Sequence, residues 1–262
     1  MDKFKWKLQR YNGQNTRFRC PNCRKSRQYT RFINSLGEYA PFEYGKCNRS
    51  EKCGYFNYPN GEKTTAPDFK HKPKQIEFID WNNYNYDLDL NASFTSSLIE
   101  LIGDEKLVFE TLCKYYVRTD GNNMIYPYVD ANNRLTYVKK MLYKGLKRDK
   151  YIYTPHKADK GVFKQCLFGL HLVSDLIQNC VVESEKTALV CAILYPDYTW
   201  LATGGLNMVS KVNVLDKAII YPDKGKAFTI WKDKLNENKY TFNDILENTN
   251  LPDGSDLADM VL

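Results

Sequence analysis

Residues 179–205 read NCVVESEKTALVCAILYPDYTWLATGG, and residues 217–235 read KAIIYPDKGKAFTIWKDKL. Short apolar runs, 177–182, 199–202 and 217–221, are each followed by polar or glycine-rich turns. Longer apolar patterns of helical length, in EKTALVCAILY and GKAFTIWKDKLNE, lie after the first and third runs. Strands alternating with helices predict βαβ units and a mostly parallel sheet from about residue 176 onward. Two of these strands end in acids, Glu183 after CVV and Asp223 after AIIYP. Carboxylates at the ends of neighbouring parallel strands point into the crevice where such sheets bind ligands. Together they would suit Mg²⁺, a hard cation that takes few protein oxygens and keeps water and phosphate in its shell. A single acid after a strand is usually only a cap for the next helix. Two of them, with Thr203-Gly204-Gly205 between, make a more specific pattern.

Upstream, FTSSLIELIGDEKLVFETLCKYY carries Leu98, Leu101, Ile102, Val108 and Leu112 at helical spacing. MIYPYVDANNRLTYVKKMLY then reads as two strands joined at DANNR, a hairpin pattern. Residues 131–150 hold seven Lys or Arg and one Asp. Residues 61–77, rich in Pro, Gly and Lys, read as a linker.

The N-terminal third is organised by Cys20-Pro-Asn-Cys23 and by Cys47 and Cys53 in CNRSEKCGY. Two close pairs at the ends of a hairpin can offer four thiolates to one tetrahedral Zn²⁺, as in a zinc ribbon. The second pair has five intervening residues instead of the usual two to four, which leaves a longer turn or a substitution by His71 open. So small a unit needs a staple, and metal is the one available in a reducing cell. Arg24, Lys25, Arg27 and Arg31 surround the cysteines, interleaved with aromatics that include Tyr29 and Phe32. Cations hold phosphates and rings stack on unpaired bases, so this module is expected to bind nucleic acid. Phe18, Phe42 and Phe56 are expected to form its core. The other cysteines, Cys113, Cys166, Cys180 and Cys191, read as buried thiols, and Trp200, Tyr221 and Trp231 as core.

Composition agrees. The net charge of +7 is concentrated at one end, with 17 Lys or Arg against 6 Asp or Glu in residues 1–75. A basic arm on a near-neutral body points to a polyanionic partner. No apolar run reaches the ~18 residues of a membrane span, and MDKFKWKLQR lacks the apolar core of a signal peptide, so a cytoplasmic location is expected.

VVESEKTAL, WLATGGLN and AIIYPDKG, with the late acidic segment DGSDLADMVL, resemble the Toprim domain shared by primases, topoisomerases and some nucleases. That resemblance implies Glu183 as a metal-linked acid–base residue. It makes Asp223 the first of an Asp-x-Asp pair and Asp256 and Asp259 the last acidic motif, with Mg²⁺ or Mn²⁺ at Glu183, Asp223 and Asp256. The stretch from Asn123 to Val173 resembles the basic subdomain that precedes Toprim in bacterial replicative primases. By that resemblance Lys139, Lys140, Arg148, Lys164 and Lys186 would contact template or nucleotide phosphates. The order of parts also resembles compact primase-like proteins of plasmids and mobile elements.

The expected architecture is therefore multidomain, α+β and α/β. It comprises a zinc ribbon at 1–60, the linker, a basic α+β subdomain at 78–175 and a Toprim domain at 176–262. The expected partners are single-stranded DNA or RNA and nucleotides, with a helicase or other replication protein in trans and no membrane. One departure stands out: Gly225 occupies the second position of Asp-x-Asp, and Lys224 brings a positive charge beside it. Three readings follow: a minimal primase making RNA primers, a catalytically decayed nucleic-acid-binding accessory protein, or a Toprim nuclease. Topoisomerase activity is not expected from a chain too short for a strand-passage gate.

Overall fold

A computed structural model describes residues 6–49, 52–59 and 75–261. The chain divides into two compact units, residues 1–72 and 73–262, each described by itself. Residues 61–74 of the expected linker, including His71, lie outside the described residues.

The first unit is an antiparallel sheet of β1 (Lys7–Leu8), β2 (Tyr29–Ile33), β3 (Gly45–Cys47) and β4 (Phe56–Asn57), in that order. Its centre is not the expected phenylalanine trio. Tyr29, Phe32 and Ala40 are buried, whereas Phe42 is 46% exposed and Phe18 and Phe56 are half-buried. Tyr29 satisfies its hydroxyl by donating to the Phe42 carbonyl at 2.7 Å. Burial puts Tyr29 and Phe32 out of reach of a stacked base.

In the second unit, the strand pair β5 (Ile76–Glu77) and β10 (Val162–Phe163) is parallel. Helices α1 (Ser93–Ile102) and α2 (Glu105–Lys114) follow β5. The sequence pattern reads as one helical segment, and the structure breaks it at Gly103-Asp104. Gly103 takes the left-handed conformation at φ 76° that closes α1. The Asp104 carboxylate then accepts the Leu107 N–H and opens α2. Leu98, Val108 and Leu112 are buried as expected, but Leu101 is exposed. The hairpin region is an antiparallel sheet in chain order: β6 (Arg118–Asp120), β7 (Asn123–Val129), β8 (Leu135–Lys144) and β9 (Lys147–Tyr153).

The predicted α/β region contains β11 (Asn179–Val182), α3 (Glu185–Leu194), β12 (Thr199–Ala202), β13 (Ala218–Ile220), α4 (Lys226–Lys234), β14 (Tyr240–Phe242) and α5 (Leu257–Val261). Its four strands are all parallel in the order β12-β11-β13-β14. Cys180 and Val182 pack on one face, with α1, α2, α3 and the antiparallel sheet. Val181 and Leu201 pack on the other, with Trp231 of α4 and the 3₁₀ run Leu206–Val214. Burial on both faces is why these strands read as continuous apolar runs without alternation. The antiparallel sheet and the parallel sheet thus share one hydrophobic core. Trp200 and Trp231 are core, and Tyr221 is half-buried. Among the described residues no helix is long and apolar enough to cross a membrane.

Candidate functional site

The four cysteines of the first unit converge. Their sulfurs lie within 4.8 Å of one another, with Cys20 to Cys53 at 3.8 Å and Cys23 to Cys47 at 3.9 Å. A tetrahedron with Zn–S bonds of about 2.3 Å has edges of about 3.8 Å, so the quartet fits a structural Zn²⁺ without rearrangement. Each pair sits on a tight backbone turn. The Arg24 N–H donates to the Cys20 carbonyl at 3.0 Å while Arg24 adopts φ 55°. The Cys53 N–H donates to the Arg49 carbonyl at 2.8 Å, so the long second spacing closes as a wider turn. A hydrogen bond from the Tyr55 backbone lowers the Cys53 thiol to about 6, while burial pushes Cys47 up to about 12. Four adjacent sulfurs ionise together only around a cation.

Arg24, Lys25 and Arg27 are exposed beside the cluster. Arg31 differs. Its guanidinium lies 4.6 Å from the Tyr39 ring centre and 5.5 Å from that of Phe18, and it bonds the Ala40 carbonyl. Those contacts make Arg31 part of the ribbon's packing, not a free phosphate contact.

In the second unit, β11 and β13 are neighbours, paired Cys180 to Ile219 and Val181 to Ile220. Glu183 and Asp223 therefore emerge at the same sheet end. The chain returns after β14 and brings Asp256 and Asp259 to that end as well. All four carboxylates line one cleft of about 740 Å³, together with Lys147, Arg148, Lys186 and the Gly204-Gly205 turn. Burial raises Glu183, against a bond from the Leu206 backbone and the charge of Arg148. Burial, then Glu183, Asp256 and Asp259, push Asp223 up to about 8. Oxygen-only donors that resist being ionised together suit a hydrated divalent cation with few direct protein ligands. Among the described residues, only the cysteine quartet has three or more ligand atoms within 4.8 Å of one another.

Asp256 also has a structural task. It accepts the Thr187 hydroxyl at 2.8 Å and the Asp259 N–H at 3.0 Å, while Asp259 accepts the Asp256 N–H at 3.0 Å. This reciprocal pair caps α5, and Lys186 lies 3.3 Å from Asp256.

Lys224 does not crowd the cleft as the sequence suggests. Its ammonium donates to the carbonyls of Thr249 and Leu251, both at 2.7 Å. Gly225 sits at φ 80°, and a side chain there would place Cβ 2.9 Å from the Asp253 carboxyl carbon. The backbone itself therefore disfavours the missing aspartate.

Lys139 lies beneath the glycine turn. Its ammonium is 2.7 Å from Glu185, with side chains only 7% and 2% exposed, and donates to the Gly204 carbonyl at 2.7 Å. The Tyr128 hydroxyl also donates to Glu185. Lys211 holds the neighbouring Thr203 carbonyl at 2.8 Å, and burial followed by the Lys139 charge lowers it to about 7. Lys139 is thus a support of the cleft floor and is shut off from phosphates. Sequence reasoning missed this network because a buried Lys–Glu pair carries no local pattern. Lys140 pairs with Asp120. Arg148 is exposed on the cleft wall, and Lys164 is exposed at a separate pocket beside Phe78 and Arg134.

Comparison with known families places the chain. Residues 92–224 match the model of a domain of unknown function, DUF6371, and the chain belongs to that family. Residues 4–68 match a zinc beta-ribbon finger, in agreement with the cysteine geometry. No curated protein sequence matches. Among solved structures, the primase fragment of the bacteriophage T7 primase-helicase is 15% identical. It covers 94% of this chain and 93% of its own, with a TM-score of 0.44. The Escherichia coli primase catalytic core is 13% identical, covering 70% of this chain and 74% of its own, with a TM-score of 0.44. The Aquifex aeolicus primase zinc-binding and RNA polymerase domains are 15% identical. They cover 68% of this chain and 47% of their own, with a TM-score of 0.38.

Proposed function

We propose that the chain is a primase-like nucleotidyltransferase that makes short RNA primers on single-stranded DNA. The observation that carries this reading is the gathering of Glu183, Asp223, Asp256 and Asp259 at one parallel-sheet end, under a cationic wall. The same chain carries a zinc ribbon with exposed Arg24, Lys25 and Arg27. Glu183 and Asp223 would hold Mg²⁺ or Mn²⁺ directly, and Asp256 or Asp259 through water. Once bound, the cation supplies charge neutralisation at the transferring phosphoryl group. By the Toprim resemblance Glu183 would be the metal-linked acid–base residue; in the metal-free cleft burial raises its carboxyl, and a bound cation would draw it back toward the ionised form. Arg148 and Lys186 would hold nucleotide phosphates at the cleft. The resemblance to compact mobile-element proteins supports a role in replicating such an element.

Two observations favour a second reading, a nucleic-acid-binding accessory protein without catalysis. Gly225 removes one carboxylate, and Asp256 is engaged in capping α5. Template-directed incorporation of ribonucleotides, compared between the wild type and Glu183→Gln, separates the two.

A further inference from the structure

A second cavity of the larger unit, about 450 Å³ in volume, shares no lining residue with the acidic cleft. Three large apolar side chains line it and stay open to solvent: Ile76 at 46%, Phe78 at 40% and Val214 at 61%. Leu167, wholly buried, adds to the same lining. Exposed apolar side chains gathered around one cavity call for an apolar occupant. The charge in the lining adds a second requirement. Arg134 is already satisfied, because two of its nitrogens bond Asp130 at 2.9 and 2.7 Å. Lys211, on the 3₁₀ run, is not. An ammonium carries three donors. Among the described residues Lys211 uses one of them, on the Thr203 carbonyl at 2.8 Å. The charged groups facing it offer no counter-ion. Lys139 of β8 has the same sign and takes up Glu185 of α3 at 2.7 Å. Burial and then Lys139 lower Lys211 to about 7, against Glu185 and Cys166. A half-buried cation without a counter-ion is unfavourable, and an anion in the cavity would relieve it.

We infer that this cavity is a binding site for a small organic acid, a carboxylate on an apolar aliphatic or aromatic body. The carboxylate accepts from the unused donors of Lys211, and the body lies against Phe78, Leu167 and Val214. The inference is independent of the proposed function, since it uses no residue of the acidic cleft. The volume falls within the range of about 300–1,000 Å³ typical of small-molecule sites. A nucleotide is the competing occupant. Its triphosphate would need several uncommitted cations, whereas this cavity offers Lys211 and, exposed, Lys164. Its ribose would gain nothing from the apolar side chains.

The test is isothermal titration calorimetry of the full-length, zinc-loaded protein with decanoate near neutral pH. Decanoate should bind saturably, once per chain. Lys211→Met should weaken it at least about tenfold, by removing a charge-assisted hydrogen bond. That variant also loses the bond to Thr203, so a second one leaves the ammonium in place. Val214→Glu, at an exposed position, should weaken decanoate by a similar factor, because it sets a like charge beside the carboxylate. Thermal midpoints of Val214→Glu should stay with the wild type. Affinity should also fall as pH rises above about 7, with a proton taken up on binding, because the ammonium form holds the anion. The inference is overturned if decanoate gives no saturable binding at millimolar concentration. It is equally overturned if both variants bind within about twofold of the wild type, or if decanol binds as well as decanoate. Displacement of decanoate by an equal concentration of ATP without metal would assign the cavity to nucleotides instead.

Discussion

Replacing Lys139 with Met should expose how the floor of the acidic cleft is held. The wild-type ammonium sits 2.7 Å from Glu185, in a pair almost wholly removed from water. Methionine keeps much of the volume and removes the charge. Glu185 is then left buried with the Tyr128 hydroxyl as its nearest donor. Breaking a buried pair from one side costs about 3–5 kcal/mol, because the remaining charge has no compensation. For a unit of this size that is a fall of about 6–20 °C in thermal midpoint. The pH dependence should also change sign. In the wild type, burial opposes ionisation of Glu185, but Lys139 and Tyr128 outweigh it and hold the carboxyl below its ordinary value. A depressed carboxyl contributes stability above its unfolded value, about 4.3, and loses it as pH falls through the folded one. Without Lys139, burial alone raises the carboxyl, so stability should fall as pH climbs above about 4.3 and recover toward acid. Adding Glu185→Gln should restore part of the loss by removing the stranded charge. Urea unfolding followed by tryptophan fluorescence suits the measurement, since Trp81, Trp200 and Trp231 all report on residues 73–262. A cost below about 1 kcal/mol, or no recovery in the double variant, would refute the reasoning.

Cys20→Ser should take metal content from one zinc per chain to none by elemental analysis. It should also abolish the ribbon's unfolding transition while sparing that of residues 73–262. Gly225→Asp, which supplies the second carboxylate of the Toprim pattern, should destabilise by about 1–3 kcal/mol and fail to raise metal affinity, because φ 80° strains any side chain there and the new Cβ would have to displace the Asp253 carboxyl. Mn²⁺ affinity, followed by electron paramagnetic resonance, should rise about tenfold per pH unit up to about 8, as Asp223 must give up its proton to bind. Asp223→Asn should flatten that profile.

Much of this was legible in the sequence, for reasons that differ by region. The parallel strands were readable because burial on both faces makes them continuous apolar runs, as in Cys180-Val181-Val182. The zinc quartet was readable because ligand spacing is a local property, and the structure brings all four sulfurs together. Roles set by distant partners were not readable. Lys139 sits in the same basic run as Lys140 and Lys144, yet Glu185, 46 residues away, turns it into a buried support. Arg31 was indistinguishable from Arg24 and Arg27 until the rings of Tyr39 and Phe18 were seen to enclose it. Lys224 looked like a charge beside the metal position, but the carbonyls of Thr249 and Leu251 hold it elsewhere. The edge position of β9 depends on sheet order, which its own residues do not encode.

The central claim is that the cleft at the ends of β11 and β13 transfers nucleotides. Its most direct test is extension of labelled ribonucleotides on single-stranded DNA templates by zinc-loaded protein, with Mg²⁺ or Mn²⁺. Wild-type protein should yield short products that depend on template and metal and vanish in Glu183→Gln, while that variant still binds DNA. Wild-type protein that binds DNA and the divalent cation but yields no product on any template would contradict it and leave the accessory reading standing.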